Sequence, residues 1–411
     1  MNKVSIIGGC GRLGLRLGLS CTHKGFQVNC IDLDEERINE INQSTVPYCE
    51  PSLDQYLEEA IKNKKLNASS EYNLVNDSDV IIISIGTPVD SNLNPSLEPL
   101  AGAIFDIAEF VKEGQLILFR GTISPGITNR LKLLLEDKTG FKVGKSIFLA
   151  FTPEVQNKKE SIENTFTSCQ PIGAFDEESF TRAKEFFTQL TTGETKWVEP
   201  EEALIGKLMN NMISYFQSAC SNEFYLIADS FGVDANRIFE ACNFKDLPKP
   251  SLNSPGPGMH KEGWFLVERI PFADLITTSF KINESMSTQI VKKLENYNLN
   301  KVAILGMSSR PNSDDSSGSL SYKLRKSLFY KDYQVGCYDP HLPEYSDSSV
   351  LRDADAVILM TPHEEFKDFQ KIKNAVNNPN CIYVDINGLW EEVKSLSENG
   401  IIRLKKGNLK R

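Results

Sequence analysis

The chain has 411 residues, with 45 Lys or Arg against 55 Asp or Glu and a net charge of −10. That length holds two or three domains with separate cores, and the acidic balance without a basic tract argues against nucleic acid as a partner. No apolar run approaches the roughly 18 residues that span a bilayer, and nine scattered cysteines without a C-x-x-C pair point to reduced thiols and a cytoplasmic protein.

MNKVSIIGG runs directly into a strand pattern, which leaves no room for a secretory leader. Over the first 190 or so residues, short apolar runs alternate with amphipathic stretches. VSIIGG, QVNCID, VIIISIG, LILFRG and IFLAFTP read as buried parallel strands. ERINEINQ and PSLDQYLEEAIKNKK carry helical spacing, and the alternation predicts a doubly wound α/β sheet.

After the first strand, IIGGCGRLG sets Gly9, Gly11 and Gly14 in a G-x-G-x-x-G spacing that opens a helix. Gly9 is expected to permit the tight turn, Gly11 to admit a diphosphate against the backbone, and Gly14 to allow close helix–strand packing. The diphosphate is expected at the helix N-terminus, where unpaired N–H groups and the helix dipole favour negative charge. Asp32 ends the next strand at a spacing suited to accept ribose hydroxyls, and its charge repels a 2′-phosphate. The pattern predicts NAD rather than NADP. Arg37 is a mild contrary signal, more simply read as a solvated helix residue.

From about 198 to 243 the pattern becomes a long helix, EEALIGKLMNNMISYFQSACSNEFYLIADSF. Lys207 and Asn211 are four apart and share a face, among Leu204, Leu208, Met212 and Phe216. Together they could hold an anion or a developing alkoxide; equally, both could lie at the edge of the buried stripe. SPGPGMHKEGWFL (254–266) reads as a Gly/Pro loop, either facing a ligand or serving as an ordinary turn. A second helical segment, FADLITTSFKINESMSTQIVKKLENY, follows it. KVAILG at 301 then restarts the strand–helix alternation, with QVGCYD, AVILM and CIYVDI as later strands. The four histidines lie far apart, and no metal spacing is present. The predicted plan is two Rossmann-like, doubly wound parallel-sheet domains (1–197 and 299–411) joined by a helical region at 198–298.

Several segments, in order and at comparable spacing, resemble the UDP-glucose/GDP-mannose 6-dehydrogenases. They are IGGCGRLG, GTP (86–88), RGTISPG (120–126), LAFTPE (149–154), ALIGKLMNN (203–211), SNEF (221–224), PGPGMHK, RPNSDDSSGS (310–319), YDPHLP (338–343) and TPHEEF (361–366). The resemblance implies an NAD-binding Rossmann domain, a homodimer through the central helices and a C-terminal domain that helps bind a nucleotide sugar. It also implies oxidation of a sugar C6 alcohol to a carboxylate in two NAD-dependent steps. RGTISPG, LAFTPE and the loop histidine resemble the branch acting on UDP-N-acetylhexosamines.

By the same resemblance, Lys207 and Asn211 would stabilise the oxyanion, while Thr122 and Glu154 would position water or relay protons. Arg12, Leu13, Thr87 and Thr122 would join Gly9, Gly11, Gly14, Asp32 and Arg37 around the cofactor. Gly256, Gly258, His260, Lys261 and Arg310 would join Lys207 and Asn211 around a UDP-sugar.

The loop departs from the pattern of that branch, which runs Gly-Pro-Gly, Val-Gly-Gly-His-Cys and, a few residues on, an aspartate that assists the thiol. Here His260 is followed by Lys261 where the cysteine is expected, residues are missing on both sides of the histidine, and no aspartate follows in the loop. No cysteine falls between 243 and 336. Val155, Lys158 and Ser317 also replace a family arginine, glutamate and arginine respectively. An ammonium with a pKa of about 10.4 is not a nucleophile at pH 7, so Lys261 is expected to pair with a phosphate or carboxylate.

The expected function is an NAD-dependent oxidoreductase at C6 of a UDP-sugar, without the thioester route. It would stop at the aldehyde or oxidise the aldehyde hydrate through water. A full 6-dehydrogenase making a uronic acid, a silent paralogue that binds NAD and nucleotide sugar, and non-redox epimerisation stay open.

Overall fold

The computed structural model describes residues 1–50, 53–90, 94–155, 162–253, 259–267, 270 and 272–390, and of Asn164 and His260 only the backbone. The chain divides into two compact units, Met1–Asn210 and Asn211–Arg411.

The first unit opens with β1 (Lys3–Ile7), α1 (Arg12–His23), β2 (Gln27–Ile31), α2 (Glu35–Asn42), α3 (Leu53–Lys62) and β3 (Leu66–Ser69). It continues through β4 (Val80–Ile83), α4 (Glu98–Ala108), β5 (Leu116–Phe119), α5 (Thr128–Thr139) and β6 (Phe148–Phe151). It closes with α6 (Ile162–Thr165), β7 (Gln170–Ala174), α7 (Glu177–Leu190) and β8 (Thr195–Val198). One sheet results, in the order β3-β2-β1-β4-β5-β6-β7-β8. The order reverses between β1 and β4, and ligands of such sheets bind beyond the strand ends at that switch.

Central strands such as VIII and LILF are buried at every position, as sheets covered on both faces require. The sheet is parallel from β3 through β6, but β7 runs antiparallel to β6, with Ala150 opposite Ala174. The doubly wound parallel sheet expected from the sequence is present, with one antiparallel pairing added past β6. β3, β7 and β8 also escaped the sequence reading, for physical reasons. β3 and β8 are short edge strands with exposed positions, and β7 carries Pro171 and Gly173 instead of a continuous apolar run.

α8 (Pro200–Ser230) starts in the first unit and continues into the second. There it is followed by α9 (Ala235–Ala241), α10 (Met259–Val267) and α11 (Asp274–Leu294). α8 and α11 are joined by a buried hydrogen bond from Asn222 Nδ2 to Asn283 Oδ1 (2.9 Å) and by the Lys293–Asp229 ion pair. The second sheet comprises β9 (Lys301–Leu305), β10 (Gln334–Tyr338), β11 (Ala356–Leu359) and β12 (Ile382–Val384), with α12 (Ser321–Phe329) and α13 (Phe369–Val376). Its order is β10-β9-β11-β12 and every pair is parallel. These are the four C-terminal strands expected from the apolar runs.

Candidate active site

The glycine turn divides its work differently from the sequence expectation. The left-handed conformation falls on Gly8 (φ +74°), one residue before the motif. Gly9 is required for space: a Cβ there would sit 2.6 Å from Cys30 Cα. At Gly14 a Cβ would sit 2.3 Å from Gly8 O, so the first turn of α1 rests directly on the glycine backbone. A Cβ at Gly11 would meet only Gly8 O, at 3.4 Å. The backbone is therefore open at Gly11, at the N-terminus of α1, which fits a diphosphate.

Asp32 lies just past β2. Its Oδ2 accepts from Cys10 N (3.0 Å), and its Oδ1 accepts from Leu33 N and Asp34 N. The Arg12 guanidinium lies 4.6 Å above the Tyr48 ring, and Tyr48 donates its hydroxyl proton to Gly11 O. Leu13, in the first turn of α1, is half-buried. Arg37 is exposed on α2 and pairs with Asp34 at 3.2 Å.

Beyond β4 and β5 the two Gly-Thr turns hold each other. Thr87 N donates to Thr122 O (2.8 Å), and Ser124 N donates to Thr87 Oγ1 (3.2 Å). Beyond β6, Glu154 stands 3.9 Å from both Arg16 Nη1 and Arg120 Nη2. Arg16 also donates to Glu50 at 2.6 Å, while Arg120 donates to Thr152 O and Gln170 Oε1. Sequence reasoning missed this pair of buried arginines. They come from α1 and from the end of β5, and no local spacing connects them to Glu154.

Lys207 and Asn211 lie one turn apart on α8, and each is 9% exposed. The Asn211 amide donates from Nδ2 to Glu262 Oε2 at 2.5 Å. Glu262 is 6% exposed and lies on α10. It is the carboxylate that sequence reasoning missed, having searched this segment for a cysteine or an aspartate. From Met259 onward the expected loop is in fact helix α10. Gly256 and Gly258 lie outside the described residues, His260 is placed by its backbone alone, and Lys261 is half-buried.

Several of the thiols are held protonated by burial. Burial pushes Cys10, Cys21 and Cys381 up to about 12 and Cys337 up to about 11, far from the thiolate form at neutral pH. Burial also raises Cys220, while Cys242 is exposed at the C-terminus of α9.

A second polar turn follows β9. Asp339, just past β10 and fully buried, accepts from Met307 N (2.7 Å), Ser308 N (2.8 Å) and His341 N (2.9 Å). Its Oδ2 also meets His363 Nε2 at 3.1 Å. Burial opposes its ionisation, but the His363 hydrogen bond and the backbone N–H groups outweigh burial and hold the carboxyl down to about 2. His363 Nδ1 accepts from Asn312 N (2.9 Å), and Asn253 Nδ2 donates to Ser308 O (2.9 Å). The network pins the segment that presents the half-buried Arg310. His341, His363 and Glu365 offer ligand atoms within 4.8 Å of one another. Both ring nitrogens of His363 already face protein partners, as Nε2 also meets Ser308 Oγ.

Among the described residues, no helix is long and apolar enough to cross a membrane. The NAD binding domain of the UDP-glucose/GDP-mannose dehydrogenase family matches residues 2–191, and the family's UDP binding domain matches residues 303–392. The UDP-N-acetyl-D-mannosamine dehydrogenase of Methanocaldococcus jannaschii is 29% identical over 415 residues, covering 95% of this chain and 94% of that protein. The solved UDP-D-ManNAc dehydrogenase from Pyrococcus horikoshii aligns with a TM-score of 0.82 at 26% identity, covering 91% and 93% of the two chains. The UDP-N-acetyl-mannosamine dehydrogenase from Staphylococcus aureus aligns with a TM-score of 0.76 at 25% identity, covering 89% and 90%. With a glycine turn open to a diphosphate in its N-terminal unit and these matches along both units, the chain belongs to the UDP-glucose/GDP-mannose dehydrogenase family and is an enzyme with NAD as its cofactor.

Proposed function

We propose that the protein oxidises C6 of a UDP-N-acetylhexosamine, UDP-N-acetylmannosamine first among them, without a thioester intermediate. The observation that carries this reading is the buried pair Lys207 and Asn211 on one face of α8. One turn apart on the same helix face, an ammonium and an amide N–H suit an oxygen that gains charge. The names of the mannosamine dehydrogenases reported above support the choice of sugar.

Bound NAD supplies the acceptor for a hydride from C6. Gly9, Gly11 and Gly14, with Arg12 and Leu13 on α1, form the diphosphate seat; Asp32 accepts the ribose hydroxyls, and Thr87 and Thr122 shape the turns past β4 and β5. Lys207 and Asn211 donate to the C6 oxygen as it loses its proton. Glu154, steadied by Arg16 and Arg120, and Thr122 position water and relay protons. Arg310 and Lys261 serve as cations for the diphosphate of UDP, and Gly256, Gly258 and His260 complete the sugar side.

The functional parts are 1–197 for NAD, 198–298 for dimerisation and 299–411 for the nucleotide sugar. Exposed Ile213, Phe224 and Ile227 along α8, with Phe231 just past its end, form an apolar stripe that suits a homodimer. No disulfide joins any of the nine cysteines, which suits a reducing cytoplasm. Light scattering is expected to give twice the chain mass, and Phe231→Asp to halve it; a wild-type monomer sinks the dimer.

Purified protein with NAD and a panel of UDP-hexoses and UDP-N-acetylhexosamines tests the activity. NADH is expected with UDP-N-acetylmannosamine, and Lys207→Ala should lower its rate at least about 100-fold with NAD affinity intact. No NADH from any UDP-sugar that binds would refute the redox reading.

A further inference from the structure

The Asn211–Glu262 contact joins residues 51 apart in sequence, and it depends on a close helix approach. At Gly263 a Cβ would lie 2.7 Å from Phe280 Cε2 and 3.0 Å from Met212 Sδ. The absent side chain lets α10 press against α8 and α11, and the neighbouring Glu262 is thereby brought onto Asn211. The helix contact beside it is apolar and aromatic. Trp264 stacks on Phe280 at 5.1 Å, and Tyr215 packs on Phe280 at 4.6 Å. A carboxylate only 6% exposed whose hydrogen bond comes from a neutral amide is poorly suited to stabilising the fold. Its carboxylate oxygens stand beside the amide assigned to the oxygen on C6, within reach of a water attacking that carbon.

We propose that Glu262 is the general base that adds water to the C6 aldehyde, so that oxidation reaches the carboxylate without a thiol. The inference rests on the reading of Asn211 as a donor to the oxygen on C6. In the addition, the water oxygen bonds to C6 as one water proton passes to the Glu262 carboxylate. The carbonyl π pair moves onto the aldehyde oxygen. The Asn211 amide has two N–H groups: one donates to Glu262, and the other serves that oxygen. The Glu262 carboxyl then returns its proton to the oxygen, giving the geminal diol. The diol is at the aldehyde oxidation level. Loss of one hydride from C6 to NAD and one hydroxyl proton to Glu262 converts it to the carboxylic acid, balancing two electrons per step.

The first measurement leaves NAD out. The C6 aldehyde of UDP-N-acetylmannosamine is mixed with protein in ¹⁸O-water, and exchange of the aldehyde oxygen is followed by mass spectrometry. The wild type is expected to exceed the buffer rate, and Glu262→Gln to lose at least about 100-fold of that acceleration. Glu262→Asp, which keeps the carboxylate, is expected to retain part of it, with sugar affinity and urea midpoint near wild type. Exchange by the wild type no faster than buffer, or undiminished exchange by Glu262→Gln, overturns the proposal. Loss of sugar affinity in parallel with exchange also overturns it, because Glu262 would then be a prop for Asn211.

Turnover from the alcohol with NAD separates the two readings. Two NADH per sugar are expected from the wild type, with aldehyde accumulating in Glu262→Gln. One NADH per sugar from the wild type leaves the redox reading standing and removes the role of Glu262. Iodoacetamide inactivation that substrate prevents would restore a thiol and also remove it.

Discussion

Two turns occupy equivalent places in the two sheets. β1 lies between β2 and β4, and β9 lies between β10 and β11; each strand ends in a turn held by an aspartate just past its neighbour. After β1, close backbone approaches require glycine at positions 9 and 14 while Gly11 leaves room, and the half-exposed Asp32 accepts from Cys10 N, Leu33 N and Asp34 N. After β9, Gly306 is left-handed (φ +86°) and a Cβ there would lie 2.5 Å from Thr361 Cβ, and the side chains of Asp339, His363 and Asn253 hold the backbone that follows. Asp339 is fully buried and commits its oxygens to three backbone N–H groups and His363. Both turns thus combine a left-handed glycine with an aspartate that takes three backbone N–H groups, and they differ in exposure: Asp339 is fully buried against His363, while Asp32 stays half-exposed.

The largest expected effect separates the two aspartates. Asp339→Asn should cost about 3–5 kcal/mol, since it leaves His363 and a set of N–H groups without their charged partner. Its carboxyl titrates at about 2 in the fold against an ordinary 3.8. A depressed folded value means the stabilisation is complete above pH 4 and is lost as pH falls toward 2. The wild type should lose about 2 kcal/mol over that window, and Asp339→Asn should lose less. Urea midpoints at pH 7, 4 and 2.5 check both statements; equal acid sensitivity of the two proteins would break the assignment.

Next in size is Gly14→Ala, whose Cβ must displace the Gly8 carbonyl and should cost about 1–3 kcal/mol. Gly11→Ala meets open space, so its urea midpoint should stay within about 0.5 kcal/mol of wild type while NAD binding weakens. Asp32→Ala should weaken NAD about 10-fold to 100-fold, the worth of hydrogen bonds to a charged group, with little change in midpoint. Calorimetric titration with NAD decides these two. Unchanged NAD affinity in both variants would mean that the turn after β1 is as purely structural as the one after β9.

The NAD half was the more legible in the sequence because its signals are local. Gly9, Gly11, Gly14 and Asp32 sit at short fixed spacings beside apolar runs. Even there the reading misplaced one role, since the left-handed residue is Gly8. Legibility fell where a contact joins distant segments. Arg16 and Arg120 reach Glu154 from separate elements, and Asn312 reaches His363 across 51 positions. A motif search for a cysteine or aspartate passed over Glu262, although a charged residue inside an apolar helical run was a visible signal.

The sequence by itself determined the α/β class, five strands of the first sheet and all four of the second, because buried parallel strands need continuous apolar runs. It also determined the glycine turn after β1, because only glycine tolerates the backbone approaches at positions 9 and 14. The tertiary structure alone decided that β7 runs antiparallel, that Asp339 is locked while Asp32 is half-exposed, and that Glu262 meets Asn211. Each of these depends on how closely separate elements pack, as α10 does through Gly263, and spacing along the chain does not encode that distance.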